Sequence, residues 1–143
     1  MKKNKIIKKK LNHIAIAVSN VTEASKVWRD SLDCNVSEIR ELPEHGVRVI
    51  FVDFSNIKIE LLEPIDKKSP ISNFLEKNPK GGIHHICCEV KDINKVKDKV
   101  VENGIKVLGD GLTKIGAHGN PVIFLNPSST CGTLIELEEV KEN

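Results

Sequence analysis

Leu11-Asn12-His13-Ile14-Ala15-Ile16-Ala17-Val18 returns later in the chain as Ile83-His84-His85-Ile86-Cys87-Cys88-Glu89-Val90. Each copy is followed by an Ile-Glu-Leu triplet, first Ile59-Glu60-Leu61 and then Ile135-Glu136-Leu137. His85 lies 72 residues after His13 (85 − 13), and Glu136 lies 76 after Glu60 (136 − 60). Offsets that agree this closely identify an internal duplication in which each copy carries one His and one Glu at matching places.

Side chains alternate across a β-strand, so parity assigns them to faces. His13 shares its face with Leu11, Ala15 and Ala17, while Ile14, Ile16 and Val18 make the other face uniformly aliphatic. In the second copy His85 sits with Cys87 and Glu89, opposite Ile86, Cys88 and Val90. Glu60 lies opposite Ile59 and Leu61, and Glu136 opposite Ile135 and Leu137. The greasy faces call for helices, and the His and Glu faces line a cavity. A lone His in a strand is usually structural, and a lone Glu is usually solvated. Four such residues at duplicated positions instead point to a metal site, because a carboxylate aimed into a cavity is costly unless paired with a cation. By parity His84 is structural; Cys87 lies on the cavity face, open to a ligand role, and is read first as a small core residue.

Each copy reads as strand, helix, then three strands. Asn20 caps the first helix with Glu23 as its box partner, and Val21, Ala24, Val27, Trp28 and Leu32 form its apolar stripe. Asp92 caps the second, with Ile93, Val96 and Val100 as stripe and Asn103-Gly104 as stop. The remaining strands are expected near 36–41, 47–53 and 58–62, then near 106–108, 121–125 and 133–138. The fold class is therefore α+β: two tandem βαβββ modules, about 11–64 and 83–140, form a curled sheet around a metal cavity. A linker helix at 69–78 joins them within one domain, 11–140.

The chain has 143 residues, 39% hydrophobic and 29% charged, ordinary values for a globular domain. No apolar run is long enough to cross a bilayer. Its net charge of +2 is uneven: the first ten residues hold six lysines, leaving the rest at −4 (2 − 6). This arm, 1–10, reads as a solvated tail. With no Tyr and few other aromatics, the chain offers no base-stacking surface, so nucleic acid and membrane are not expected partners. Four cysteines without metal-binding spacing read as free thiols, and the expected location is the cytoplasm.

From Leu11 to Val140 the chain resembles the methylmalonyl-CoA epimerase family of the vicinal oxygen chelate superfamily. The two His and two Glu carry only the superfamily. The segments that resemble the epimerases are Pro43-Glu44-His45-Gly46-Val47 and Lys114-Ile115-Gly116-Ala117-His118-Gly119. The resemblance implies the vicinal oxygen chelate fold and a homodimer. It also implies a divalent metal, Co2+ first, with Mn2+, Ni2+, Zn2+ or Fe2+ as alternatives, held by His13, Glu60, His85 and Glu136. The implied reaction is epimerisation of (R)- and (S)-methylmalonyl-CoA, a CoA thioester, by proton removal and return at C2. Some of these epimerases have Gln where this chain has Glu60 and an acid–base Glu where it has Val49. Glu60 is therefore expected to act as the second acid–base beside Glu136. Glu44, His45, Lys114 and His118 are candidate substrate contacts on loops. Glyoxalase I-type lactoylglutathione lyase chemistry, or metal-free small-molecule binding on the same fold, are the alternatives. A dioxygenase usually recruits a Tyr, which the chain lacks.

Overall fold

The computed structural model describes residues 6–141. The expected tail residues 1–5 lie outside this range. The chain divides into two compact units, one spanning His13–His84 and the other made by the described residues before and after it.

In the unit His13–His84 the strand order is β2 (Asn35–Val36), β4 (Val47–Asp53), β5 (Lys58–Pro64) and β1 (Ile7–Ala17), with β3 (Arg40–Leu42) also on β4. β5 runs parallel to β1 and antiparallel to β4. In the other unit β6 (Gly82–Val90), β9 (Ile135–Glu139), β8 (Pro121–Leu125) and β7 (Lys114–Ile115) follow one another. There β9 runs parallel to β6 and antiparallel to β8. The same pairing rule, Glu strand beside His strand, thus appears twice, as a duplication requires.

The helices cover the aliphatic faces. α1 (Val21–Lys26) starts at Asn20, whose side chain accepts from Glu23 N. Val21, Ala24 and Trp28 pack on Ile14, Ile16, Ile50, Val52, Ile59 and Leu61. Each such aliphatic side chain contributes about 1.5–3 kcal/mol on full burial. Glu23 does not close a capping box; its carboxylate pairs with Lys26 instead. Val27 and Leu32 do not join the buried stripe and are more than half exposed. The reason is a π-helical turn over Val27–Ser31, in which Leu32 N bonds to Val27 O, and the wider turn rotates these residues off the 3.6-residue face. α3 (Ile93–Glu102) starts at Asp92, which accepts from Lys95 N. Ile93 and Val96, flanked by Val100, pack on Val90, Ile123, Leu125 and Leu137.

Three further expectations change. The strand expected at 36–41 splits into β2 and β3, because Phe51 N donates to the Ser37 hydroxyl at 2.8 Å rather than to a backbone carbonyl. The strand expected at 106–108 reduces to one bridge, Val107 with Leu125. Lys106 N turns instead to Ser129 Oγ, outside any ladder. β1 reaches back to Ile7, so part of the lysine-rich arm is strand. Lys8 lies alongside Glu89 there, 3.5 Å away, and donates to Val140 O. The linker helix is α2 (Ser72–Lys77), and Ile71, Phe74 and Leu75 pack on the His13 face of the first unit. The turn after it needs Gly81, where a Cβ would sit 2.5 Å from Ala17 O.

Candidate functional site

In the unit His13–His84, β1 and β5 bring His13 Nε2 to 3.6 Å from Glu60 Oε1. Both are almost fully buried. Glu60 sits in register between Ala15 on β1 and Phe51 on β4, and the Phe51 ring meets His13 edge-on at 6.3 Å. In the other unit β6 and β9 bring His85 Nε2 to 3.2 Å from Glu136 Oε1, again almost fully buried. Glu136 sits between Cys87 and Phe124, and Phe124 meets His85 edge-on at 5.4 Å. Each half therefore builds the same triad of strands: a His, a Glu facing it, and a Phe that fixes the imidazole.

These distances suit metal ligation. Two ligands about 2.1 Å from one tetrahedral or octahedral ion lie roughly 3.0–3.4 Å from each other. Imidazole nitrogen and carboxylate oxygen are also the donors that divalent first-row metals accept. The donor chemistry of both pairs fits the implied metal; the 3.2 Å spacing of His85 and Glu136 falls in this range, and the 3.6 Å of His13 and Glu60 lies just beyond it. Cys87 offers its sulfur within 4.8 Å of a Glu136 oxygen. Burial pushes its thiol far above the usual range, with the charges of Glu136 and Glu138 adding to the effect.

The halves diverge one step along the strands. Beside Glu60's pair, Ala17, Leu62 and Val49 are in register and buried among Val47 and Ile71. Val49, where the resembling family can carry a Glu, is fully enclosed. The matching slots in the other unit hold Glu89, Glu138 and Val122. Glu89 is buried, pairs with Lys8 and accepts from Asn12 Nδ2 at 3.0 Å. Glu138 accepts from Asn120 Nδ2 at 2.8 Å and faces His118 Nδ1 at 3.4 Å. Burial pushes its carboxyl up, but the hydrogen bonds from His118 and Asn120 outweigh this and hold it below the usual range. Glu138 and Asn120 were not singled out from the sequence. The signal was available: the offset that pairs Glu60 with Glu136 also sets Leu62 against Glu138.

The loop candidates are placed variously. Glu44 and His45 lie in the short turn Pro43–His45 before β4, Glu44 exposed and His45 half-buried. Lys114 is exposed and pairs with Asp110 at 3.6 Å. His118 is tied to Glu138.

Residues 12–124 match the family model of the Glyoxalase/Bleomycin resistance protein/Dioxygenase superfamily. Over 131 residues the chain is 53% identical to the ethylmalonyl-CoA/methylmalonyl-CoA epimerase of Cereibacter sphaeroides, covering 92% of this chain and 98% of that one. It is 48% identical to the mitochondrial methylmalonyl-CoA epimerase of Homo sapiens over 130 residues, covering 91% and 73%. A methylmalonyl-CoA epimerase solved in complex with methylmalonyl-CoA and NH4+ superposes with a TM-score of 0.82 at 28% identity, covering 91% and 93%. With its duplicated strand pattern and buried His–Glu pairs, the chain belongs to the methylmalonyl-CoA epimerase family of the glyoxalase superfamily.

Proposed function

We propose that this chain interconverts (R)- and (S)-methylmalonyl-CoA by removing the C2 proton on one face and returning one on the other. The observation that carries this reading is the pair of buried His–Glu contacts at duplicated positions, 3.6 Å and 3.2 Å, in a chain 53% identical to an epimerase of this kind. His13, Glu60, His85 and Glu136 are the residues that would hold one divalent ion. Co2+ is the first choice, although two nitrogens and two oxygens equally accept Mn2+, Ni2+, Zn2+ or Fe2+. Such an ion, when bound, polarises the thioester carbonyl and makes the C2 proton easier to remove.

The rest is done by side chains. A C2 epimerisation needs two acid–base groups, one for each face of the carbon. Glu136 and Glu60 are the duplicated carboxylates, and Val49 has no titratable group to share the work. The aliphatic wall of Val47, Val49, Leu62 and Ile71 beside Glu60 excludes water, which protects a carbanion-like intermediate from stray protonation. Glu44, His45, Lys114 and His118 are assigned to contacts with the CoA thioester. A homodimer in the cytoplasm completes the reading. The resemblance supports the dimer, and the free cysteines support a reducing compartment. Among the described residues no helix is long and apolar enough to cross a membrane.

The test is proton exchange. In D2O the metal-loaded protein should place deuterium at C2 of methylmalonyl-CoA and convert either epimer to the mixture. A chelator should stop both. Ethylmalonyl-CoA belongs in the same assay, since a relative is named for both substrates. A protein that exchanges no C2 proton, yet isomerises the glutathione adduct of methylglyoxal, would be a glyoxalase instead.

A further inference from the structure

We propose that Glu138 is a positioning residue: its carboxylate holds the β7–β8 turn, with His118 at the tip, beside Glu136 on β9. The proposal rests on the epimerase reading above.

The ladder that carries the turn is short. β7 and β8 share only two register pairs, Lys114 with Val122 and Ile115 with Pro121, and Lys114 and Ile115 are exposed. Within the turn Gly116 N donates to Asn120 O at 2.9 Å, and Gly119 N to Gly116 O at 3.0 Å. A side chain of the sheet also reaches it. Glu138 Oε2 accepts from Asn120 Nδ2, and Glu138 Oε1 faces His118 Nδ1. Both oxygens of a buried carboxylate are thus engaged by two residues of a single turn, and Cys87 Sγ on β6 also donates to Oε1, at 3.7 Å. Glu138 and Glu136 are two residues apart on one strand and so project from the same face.

The duplication shows that the strands themselves do not need this charge. In the other half the same register slot holds Leu62, buried against Ala17 and Val49. A buried carboxylate carries a desolvation penalty that leucine does not, and replacing buried charged groups by apolar ones of similar size is often neutral or stabilising. The charge at Glu138 is accounted for by what it holds. With Nδ1–H donated to the carboxylate, the tautomer and the ring orientation of His118 are both set.

The experiment compares the metal-loaded full chain with E138L, E138Q, H118A and the double variant E138L/H118A. Epimerase kcat and KM, the unfolding temperature and the ring 15N shifts of His118 are measured. E138L should unfold no earlier than the unmutated protein yet lose ~10–100-fold in kcat, with a smaller change in KM. The double variant should be no slower than the slower single variant, and the 15N shifts in E138L should show loss of the Nδ1–H tautomer. Should E138L not fold, the same kcat and 15N comparisons on E138Q decide. The proposal is overturned by an unchanged kcat, by losses that add with H118A, or by a kcat loss that merely follows a lower unfolding temperature. An unmutated protein without C2 exchange would sink the epimerase reading instead, and the 15N shifts would then still decide whether Glu138 orients His118.

Discussion

The two copies of the duplicated unit agree at the His–Glu pair and differ one step further along the same strands. At the pair they are nearly superposable in kind: Ala15, Glu60 and Phe51 in one, Cys87, Glu136 and Phe124 in the other, each Phe edge-on to its histidine. Beyond the pair, Ala17 and Leu62 are matched by Glu89 and Glu138. One half is walled with hydrocarbon, while the other buries two carboxylates and gives each its own partners: Lys8 and Asn12 for Glu89, Asn120 and His118 for Glu138. A duplication keeps what the shared chemistry needs and lets the flanks specialise. On the proposed reading, each matched carboxylate would serve one face of the carbon while its surroundings differ.

The largest expected effect tests what the halves share. Stripping divalent metal with a chelator should abolish C2 deuterium exchange, and adding Co2+ back should restore it. The same titration should raise the unfolding temperature, because an ion that binds only the folded state stabilises it. Retained exchange in metal-free protein would break the shared-ligand reading.

Next come the two carboxylates themselves. Glu136→Gln and Glu60→Gln should each slow turnover by roughly 10²-fold or more, the worth of a well-placed acid–base group. Both should keep most metal affinity, since the amide oxygen still ligates. Full activity in the Glu60 variant would show that the halves are unequal even at the pair. Glu44 and His45 would then be the first candidates for the second base.

The difference between the flanks can be tested by exchange of residue type. Leu62→Glu places a carboxylate in the aliphatic wall with no partner of the kind Asn120 and His118 provide. It should destabilise the fold by about 3 kcal/mol or more, read from denaturant midpoints. A loss under about 1 kcal/mol would mean that the wall tolerates charge, and the contrast with Glu138 would lose its force. The smallest effect concerns the helix starts. Asn20→Ala and Asp92→Ala should each cost about 1 kcal/mol, and equal losses would show that the two caps are equivalent despite the π-helical turn that follows only the first.

Much of this was legible in the residues. Period-two alternation around His13, His85, Glu60 and Glu136 assigned their faces, because strand parity is a local property of the backbone. The caps at Asn20 and Asp92 were equally local, each a side chain reaching three residues along. Where the reading slipped, the cause was a hydrogen bond that the regular strand and helix periods do not anticipate. A serine hydroxyl took a ladder bond and split one strand, and a wider helical turn moved Val27 and Leu32 off the buried stripe.

The sequence by itself determined the duplication, the alternation of strands and helices, and the four residues proposed as metal ligands. Repeat offsets and side-chain period carry that information without any fold in hand. Only the tertiary structure decided the company each residue keeps: that Val49 is sealed among aliphatic side chains, that Lys8 leaves the solvent to meet Glu89, and that Glu138 holds the turn of His118 and Asn120. The contacts of Glu89 and Glu138 with Lys8, His118 and Asn120 join residues 18 to 81 positions apart. Whether a carboxylate is solvated, paired or put to use depends on which distant strand folds beside it.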